Sequence, residues 1–191
     1  MALDAIDIDE ISLHSAYSAT GANEITGGSY ARNAATYAAA ASRARALSGT
    51  ETFPGLPAGA EVWWIGKWST TGPTFLGMSP NGAAPKSFQV DVANNRILSE
   101  GHGLVNGDRA VVYSGTAPAG LTIGTHYYVV GVTAADPDYF QLSLTSGGAA
   151  IDITGQPGDG CVVSKIVGEV YGSANGTFNL TGDTVSLPGA V

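Results

Sequence analysis

The chain has 191 residues and a mass of 19.3 kDa, which allows one domain or two small ones with a buried core, and its 44% of hydrophobic residues excludes a disordered tail. Charged residues make up only 13%, so Gly (27 residues) and other small residues fill the difference and imply many turns and short strands. Eight basic and 16 acidic residues give a net charge of −8, and the basic ones are scattered, which argues against nucleic acid and anionic membrane as partners.

The start, MALDAIDIDEISL, carries Asp4, Asp7, Asp9 and Glu10 where a secretion signal carries Lys or Arg. No apolar run approaches the ~18 residues of a membrane span. Synthesis in a cytoplasm without export is the expectation. The segment Ser29–Gly49, SYARNAATYAAAASRARALSG, is helical by intrinsic propensity. Its only bulky apolar residues before Leu47 are Tyr30 and Tyr37, too few for a continuous apolar stripe, and it leads into the strand-like SGTETF. The residues alone leave helix and strand open.

From Glu61, EVWWIGKWSTTGPTFLGMS alternates, with Val62, Trp64 and Gly66 on one side and Trp63, Ile65 and Lys67 on the other, so two strands joined by a Thr-Gly-Pro turn are predicted. Trp63, Trp64 and Trp68 could form a sugar-stacking platform. The expected arrangement instead divides them between core and interface.

Glycines 101, 103 and 107 in EGHGLVNGDRAVVYSG are spaced G-x-G-x-x-x-G, which fits neither the dinucleotide nor the phosphate-loop pattern. Gly103, Asn106 and Gly107 are read as structural turns, with Asn106-Gly107 supplying two positive-φ positions ahead of a strand at Arg109–Tyr113. RAVVYSG, HYYVVGVT, YFQLSLT, AIDIT and CVVSKIV then follow as short strands of a small barrel or sandwich. Cys161 is the only cysteine, so no internal disulfide forms, and its valine neighbours mark a buried strand thiol.

Little else points to chemistry. His14, His102 and His126 show no metal-ligand spacing, no G-x-S-x-G elbow exists, and no Ser-His-Asp combination is evident. Asp136, Asp138, Asp152 and Asp159 could hold calcium, but no EF-hand loop accompanies them and solvated turn carboxylates are expected. Glu24 and Arg32 are read as a structural ion pair closing the loop from Asn23 to Arg32. No catalytic, metal or cofactor residue is predicted.

The stretches LHSAYSATGANEITGGSYAR, RALSGTETFPGLPAG and IGKWSTTGPTFLG resemble small phage virion proteins of the tail-fibre or minor-tail type. The matching positions are Leu13, His14, Gly21, Asn23, Glu24, Tyr30, Ala31, Arg32, Gly66, Trp68, Phe75, Leu76 and Gly77. The resemblance covers Ile11 to Met78 and resumes at GTFNLTGDTVSL, although Ser15–Ser18 stands where a short Asp-Pro-type turn is expected. In that pattern the Ala-rich segment is a strand, a turn near Ser42 to Ala44 and a second strand. Residues Phe88–Ile166 resemble a module inserted in many phage structural proteins, through HGLVNGD, PAGL, YYVV and FQLSLTSGG.

The two resemblances imply an all-β protein: a β-sandwich-like domain of residues 1–87 plus 167–191, interrupted by a small β-barrel or sandwich domain of residues 88–166. They imply a non-enzymatic virion structural protein made in the host cytoplasm, on the tail or as a capsid decoration (cement) protein, with host-glycan recognition as the alternative. Other virion proteins are the implied partners. A deficit of charge adds to this. Only Lys67, Lys86 and Lys165 are available to guard sheet edges, so a homo-oligomer, trimeric by analogy with phage appendages, is expected with Trp63, Trp64 or Trp68 at the contact.

Overall fold

The computed structural model describes residues 7–41, 44–71 and 74–186, so the acidic start as far as Ile6, residues 187–191, and Ser42, Arg43, Gly72 and Pro73, on which the two turns expected from sequence fall, lie outside the described residues. The protein is all-β. In chain order the strands are β1 (Glu10–His14), β2 (Asn33–Ala34), β3 (Ala44–Ala46), β4 (Glu51–Leu56), β5 (Glu61–Val62), β6 (Trp64–Ser69), β7 (Thr74–Pro80) and β8 (Gln89–Asp91). They continue as β9 (Arg96–Leu98), β10 (Arg109–Tyr113), β11 (His126–Val130), β12 (Tyr139–Ser143), β13 (Val162–Lys165), β14 (Glu169–Val170), β15 (Gly176–Leu180) and β16 (Thr184–Ser186). The described residues divide into two compact units, one of residues 7–81 with 168–186, the other Gly82–Val167.

The first unit is built on an antiparallel sheet in the order β2-β1-β6-β7, and the ladders β4–β15, β5–β14 and β3–β16 bring the C-terminal strands back to it. Its core contains Ile11, Leu13, Phe53, Leu56, Val62 and Phe178, all at most 1% exposed. The Ala-rich segment contains no helix among its described residues: it holds the short strands β2 and β3, with isolated bridges at Tyr37, Ala41 and Leu47. Ala41 and Ala44 exchange both backbone hydrogen bonds at 2.9 Å, and Ala38 N–H donates to Ala46 O and Ser48 N–H to Thr36 O, so the chain folds back as a hairpin. Tertiary pairing overrides alanine's helical preference here: a helix would bury almost nothing, whereas the hairpin buries Tyr37 opposite Leu47 and gives β16 a partner in β3.

Strand β6 departs from the alternation expected of it. Trp64, Ile65, Gly66 and Lys67 are all buried, because β6 is an inner strand and its lysine meets a buried carboxylate rather than water.

The second unit is one antiparallel sheet in the order β13-β10-β11-β12-β9-β8. Lys86, just ahead of β8, exchanges N–H···O bonds of 2.9 Å in both directions with Val163 of β13, which joins the two ends of the sheet and closes a small barrel. Val112, Val129, Phe140, Leu142 and Ile153 fill it at 0% exposure. This unit begins at Gly82 rather than Phe88, since Gly82 already bridges Ile166 and Ala83 N–H donates to Lys165 O.

Two local readings are corrected. AIDIT is not a strand: Ile151, Ile153 and Thr154 donate to three unrelated acceptors (Leu142 O, Asn95 Oδ1 and Ala119 O), so no ladder forms even though Ile153 is in the core. The turn at Asn106-Gly107 has one positive-φ residue, not two. Asp108 N–H closes on Val105 O at 3.1 Å and Gly107 has φ 93°, the pattern of a type II turn, while the Asn106 side chain pairs with the backbone N–H and C=O of Val132. The hairpin β8–β9 has no counterpart in the expected elements, and Asn95 at φ 52° makes its bend.

Two outcomes are expected. Asn81 N–H donates to Trp63 O at 2.8 Å and Gly168 packs on the Trp63 ring, so both cut ends left by deleting Gly82–Val167 are anchored on one residue. Joining them with a short glycine linker leaves a remainder that melts cooperatively in calorimetry; a remainder recovered only as aggregate contradicts the two-unit division. Gly107→Ala costs about 1 kcal/mol in denaturant titration from backbone strain alone, since nothing lies within 4 Å of the added Cβ.

Candidate functional site

Ser12 and His14 project from the same face of β1, two residues apart, over Gly66 and Trp64 of β6. Both are 0% exposed. The polar atoms form a directed chain. Trp68 Nε1–H donates to Ser12 Oγ at 2.6 Å, Ser12 Oγ lies 2.7 Å from His14 Nε2, and His14 Nδ1 lies 2.8 Å from Ala22 O. A carbonyl can only accept, so Nδ1 carries a proton; with burial favouring the neutral imidazole, Nε2 then accepts from Ser12. Burial holds its pKa below the ordinary histidine value, against the opposing pull of the Ala22 carbonyl.

Outward from this chain the other resemblance residues lock together. The Arg32 guanidinium stacks on the Trp68 ring at 3.5 Å and forks onto Glu24, with Nε to Oε1 at 2.9 Å and Nη2 to Oε2 at 2.7 Å. Phe75 meets Trp68 edge-on at 5.0 Å, and Leu13 N–H donates to Tyr30 OH at 2.8 Å. Two glycines are required by contact. A Cβ on Gly66 would overlap His14 Nε2, and one on Gly21, at φ 81°, would lie 2.5 Å from Trp68 Cη2.

A serine hydroxyl hydrogen-bonded to a histidine Nε2 is the nucleophile-and-base arrangement of acyl transfer, and the sequence showed no such pair. Its surroundings remove that chemistry. Neither residue reaches solvent, the Ser12 oxygen already takes the Trp68 N–H, and the Gly66 backbone fills the space an acyl group would need. The histidine is oriented by a carbonyl, and the nearby carboxylate, Glu24, is committed to Arg32.

A second buried constellation lies on β6 and β7. Lys67 Nζ stands 3.0 Å from Asp183 Oδ2 and donates to Ser79 Oγ at 2.6 Å, Ser79 donates to Asp183 Oδ1 at 2.6 Å, and Tyr37 OH donates to Asp183 Oδ2 at 2.6 Å. The Lys67 and Asp183 side chains are 7% and 5% exposed. Sequence pattern gave no hint of it, because 116 residues separate the two charges.

The tryptophans offer no stacking platform. Trp64 is 0% exposed inside the first unit, with Tyr17 edge-on to it at 5.2 Å, so it has no surface for an interface. Trp68 has one face covered by Arg32. Trp63 is half-buried, donates Nε1–H to Glu61 at 3.0 Å and has Gly168 against its ring.

In the barrel, Gly101, Gly103 and Gly107 all have positive φ and serve backbone turns. His102 Nδ1 accepts Leu104 N–H at 2.9 Å and its ring packs edge-on against Phe140 at 4.8 Å. Asp138 accepts Gly101 N–H and Asp136 pairs with Arg96 at 3.3 Å. Among the described residues no group of three His, Cys, Asp or Glu is placed to hold a metal ion. Burial pushes the Cys161 thiol up to about 11, which leaves it protonated and unreactive at neutral pH.

Gly66→Ala is expected to cost about 2 kcal/mol or more, clearly above the cost at Gly107, since the added methyl displaces His14 as well as filling space. A pH effect follows from the histidines. His14, His102 and His126 all have pKa values lowered by burial from 6.5, so above that pH their contribution to stability is complete. As pH falls from 6.5 through the folded-state values the unfolded chain binds protons first, and stability is lost. The denaturant midpoint should therefore drop between about pH 7.5 and pH 5, and His14→Gln should reduce that slope.

Compared with known proteins, the chain matches no family model, no curated protein and no solved structure.

Proposed function

We propose that this chain is a non-enzymatic structural protein of a bacteriophage virion, of the tail-fibre or minor-tail type. The observation that supports it most is where the resemblance residues go. His14, Gly21, Glu24, Tyr30, Arg32, Gly66, Trp68 and Phe75 come from segments far apart in sequence and end in one mutually dependent packing cluster. A motif spent on closing a fold is what a scaffold carries, whereas a catalytic motif needs at least one reactive atom open to substrate.

The scarcity of charge at the sheet edges supports assembly. Lys67 guards no edge because it is buried, and Lys165 is tied to Asp108 at 2.7 Å, while β2 and β7 lie at the edges of the four-stranded sheet. Repeated copies, or a symmetric virion site, would cover such edges. A capsid decoration protein has the same need. The glycan reading is weaker, since Trp64 is buried and Trp68 is stacked by Arg32.

Mass spectrometry of purified particles of the encoding phage, with light scattering on the isolated protein, tests this. The chain is expected in particles and as a homo-oligomer in solution. A stable monomer absent from particles contradicts the proposal, and cryo-electron microscopy of the particle distinguishes tail from capsid.

A further inference from the structure

We propose that Lys67 and Asp183 are a self-modification site, condensing to an intramolecular isopeptide bond once the first unit has folded. Three features of the site lead there, and none depends on the virion reading.

The first is placement. Lys67 Nζ lies 3.0 Å and 3.3 Å from the two carboxylate oxygens, which brings the carbon between them close to the roughly 3–3.5 Å of a near-attack arrangement. The second is the pair of hydroxyls. Ser79 Oγ accepts from Nζ and donates to Oδ1, each at 2.6 Å, so it connects the amine to one carboxyl oxygen as a proton relay. Tyr37 OH donates to the other oxygen, Oδ2, at 2.6 Å, where negative charge would develop. Amine, relay, leaving oxygen and oxyanion donor are thus four separate groups in one closed circuit.

The third is burial. With side chains 7% and 5% exposed, the charged pair carries a desolvation cost. Lys67 and the Ser79 and Tyr37 hydroxyls outweigh that cost and hold the Asp183 carboxyl below its ordinary pKa, so the neutral amine and acid are a minor state through which the reaction passes. Water, which competes with the amine and reverses the reaction, has little access.

The step balances without any co-reactant. The ammonium passes one proton through Ser79 to Oδ1, leaving a neutral amine and a neutral acid. Nζ forms a bond to Cγ and the C=O electron pair moves onto Oδ2, held by the Tyr37 hydroxyl. A second Nζ proton follows the same relay to Oδ1, the Cγ–Oδ1 bond breaks, and Oδ1 leaves as water while Oδ2 re-forms the carbonyl. The products are one amide and one water, and no group is oxidised or reduced. The bond would close a covalent loop across 116 positions, tying the segment between β15 and β16 to the inner strand of the sheet.

Intact-mass spectrometry of the denatured full chain tests this directly. The protein is expected to weigh one water less than its sequence, and a tryptic digest to lose cleavage after Lys67 and yield a branched peptide joining the Lys67 and Asp183 segments. Lys67→Met should carry no such cross-link whether or not it folds well. Ser79→Ala and Tyr37→Phe keep both reacting groups, and cross-linking should slow at least tenfold in each. A wild-type mass equal to that of the sequence after prolonged incubation of folded protein overturns the proposal. So does a water loss that persists in Lys67→Met or maps to an Asp-Gly imide. Cross-linking at wild-type rate in both hydroxyl variants overturns the assigned relay.

Discussion

At Gly66 a strand has no side chain, and the first unit is organised around that gap. Ser12, its register partner on β1, and His14 occupy the space a Cβ would take. From there, with the imidazole neutral, the hydrogen bonds run in one direction: Trp68 to Ser12, Ser12 to His14, His14 to the Ala22 carbonyl. The last bond pins the loop after β1. The first holds Trp68 in place for Arg32 to cover, and Arg32 brings Glu24 with it. Every donor and acceptor in the chain is satisfied internally, which is what allows a histidine and a serine to sit at 0% exposure without a large penalty.

The buried lysine fits the same economy. A chain with only 13% charged residues still places one lysine on an inner strand and surrounds it with an aspartate, a serine and a tyrosine. Removing one end of such a pair usually costs about 3–5 kcal/mol, so it is a strong determinant of how the C-terminal segment returns. It also shows why counting lysines as edge guards misleads when one of the three is interior.

Much of the fold was legible from local pattern. The runs at Arg109–Tyr113, His126–Val130 and Tyr139–Ser143 are strands because β-branched and aromatic residues alternate between glycine-rich turns. Glu24 and Arg32 form the close ion pair expected of these two opposite charges. What escaped was long-range. AIDIT has strand-like residues but three unrelated hydrogen-bond partners, the β8–β9 hairpin was hidden in a polar VANN stretch, and Gly82–Lys86 was expected in the first domain although it closes the barrel of the second. The Ser12–His14 contact escaped as well, because the room for it comes from Gly66 opposite Ser12, and that register is not written in the β1 sequence.

The central claim is that the resemblance residues close the fold through one directed hydrogen-bond chain. Nitrogen-15 NMR of the His14 imidazole tests it most directly. The account predicts the neutral tautomer protonated at Nδ1, with a titration midpoint below the ordinary histidine value. An imidazole protonated at Nε2, or one titrating at or above 6.5, would contradict it.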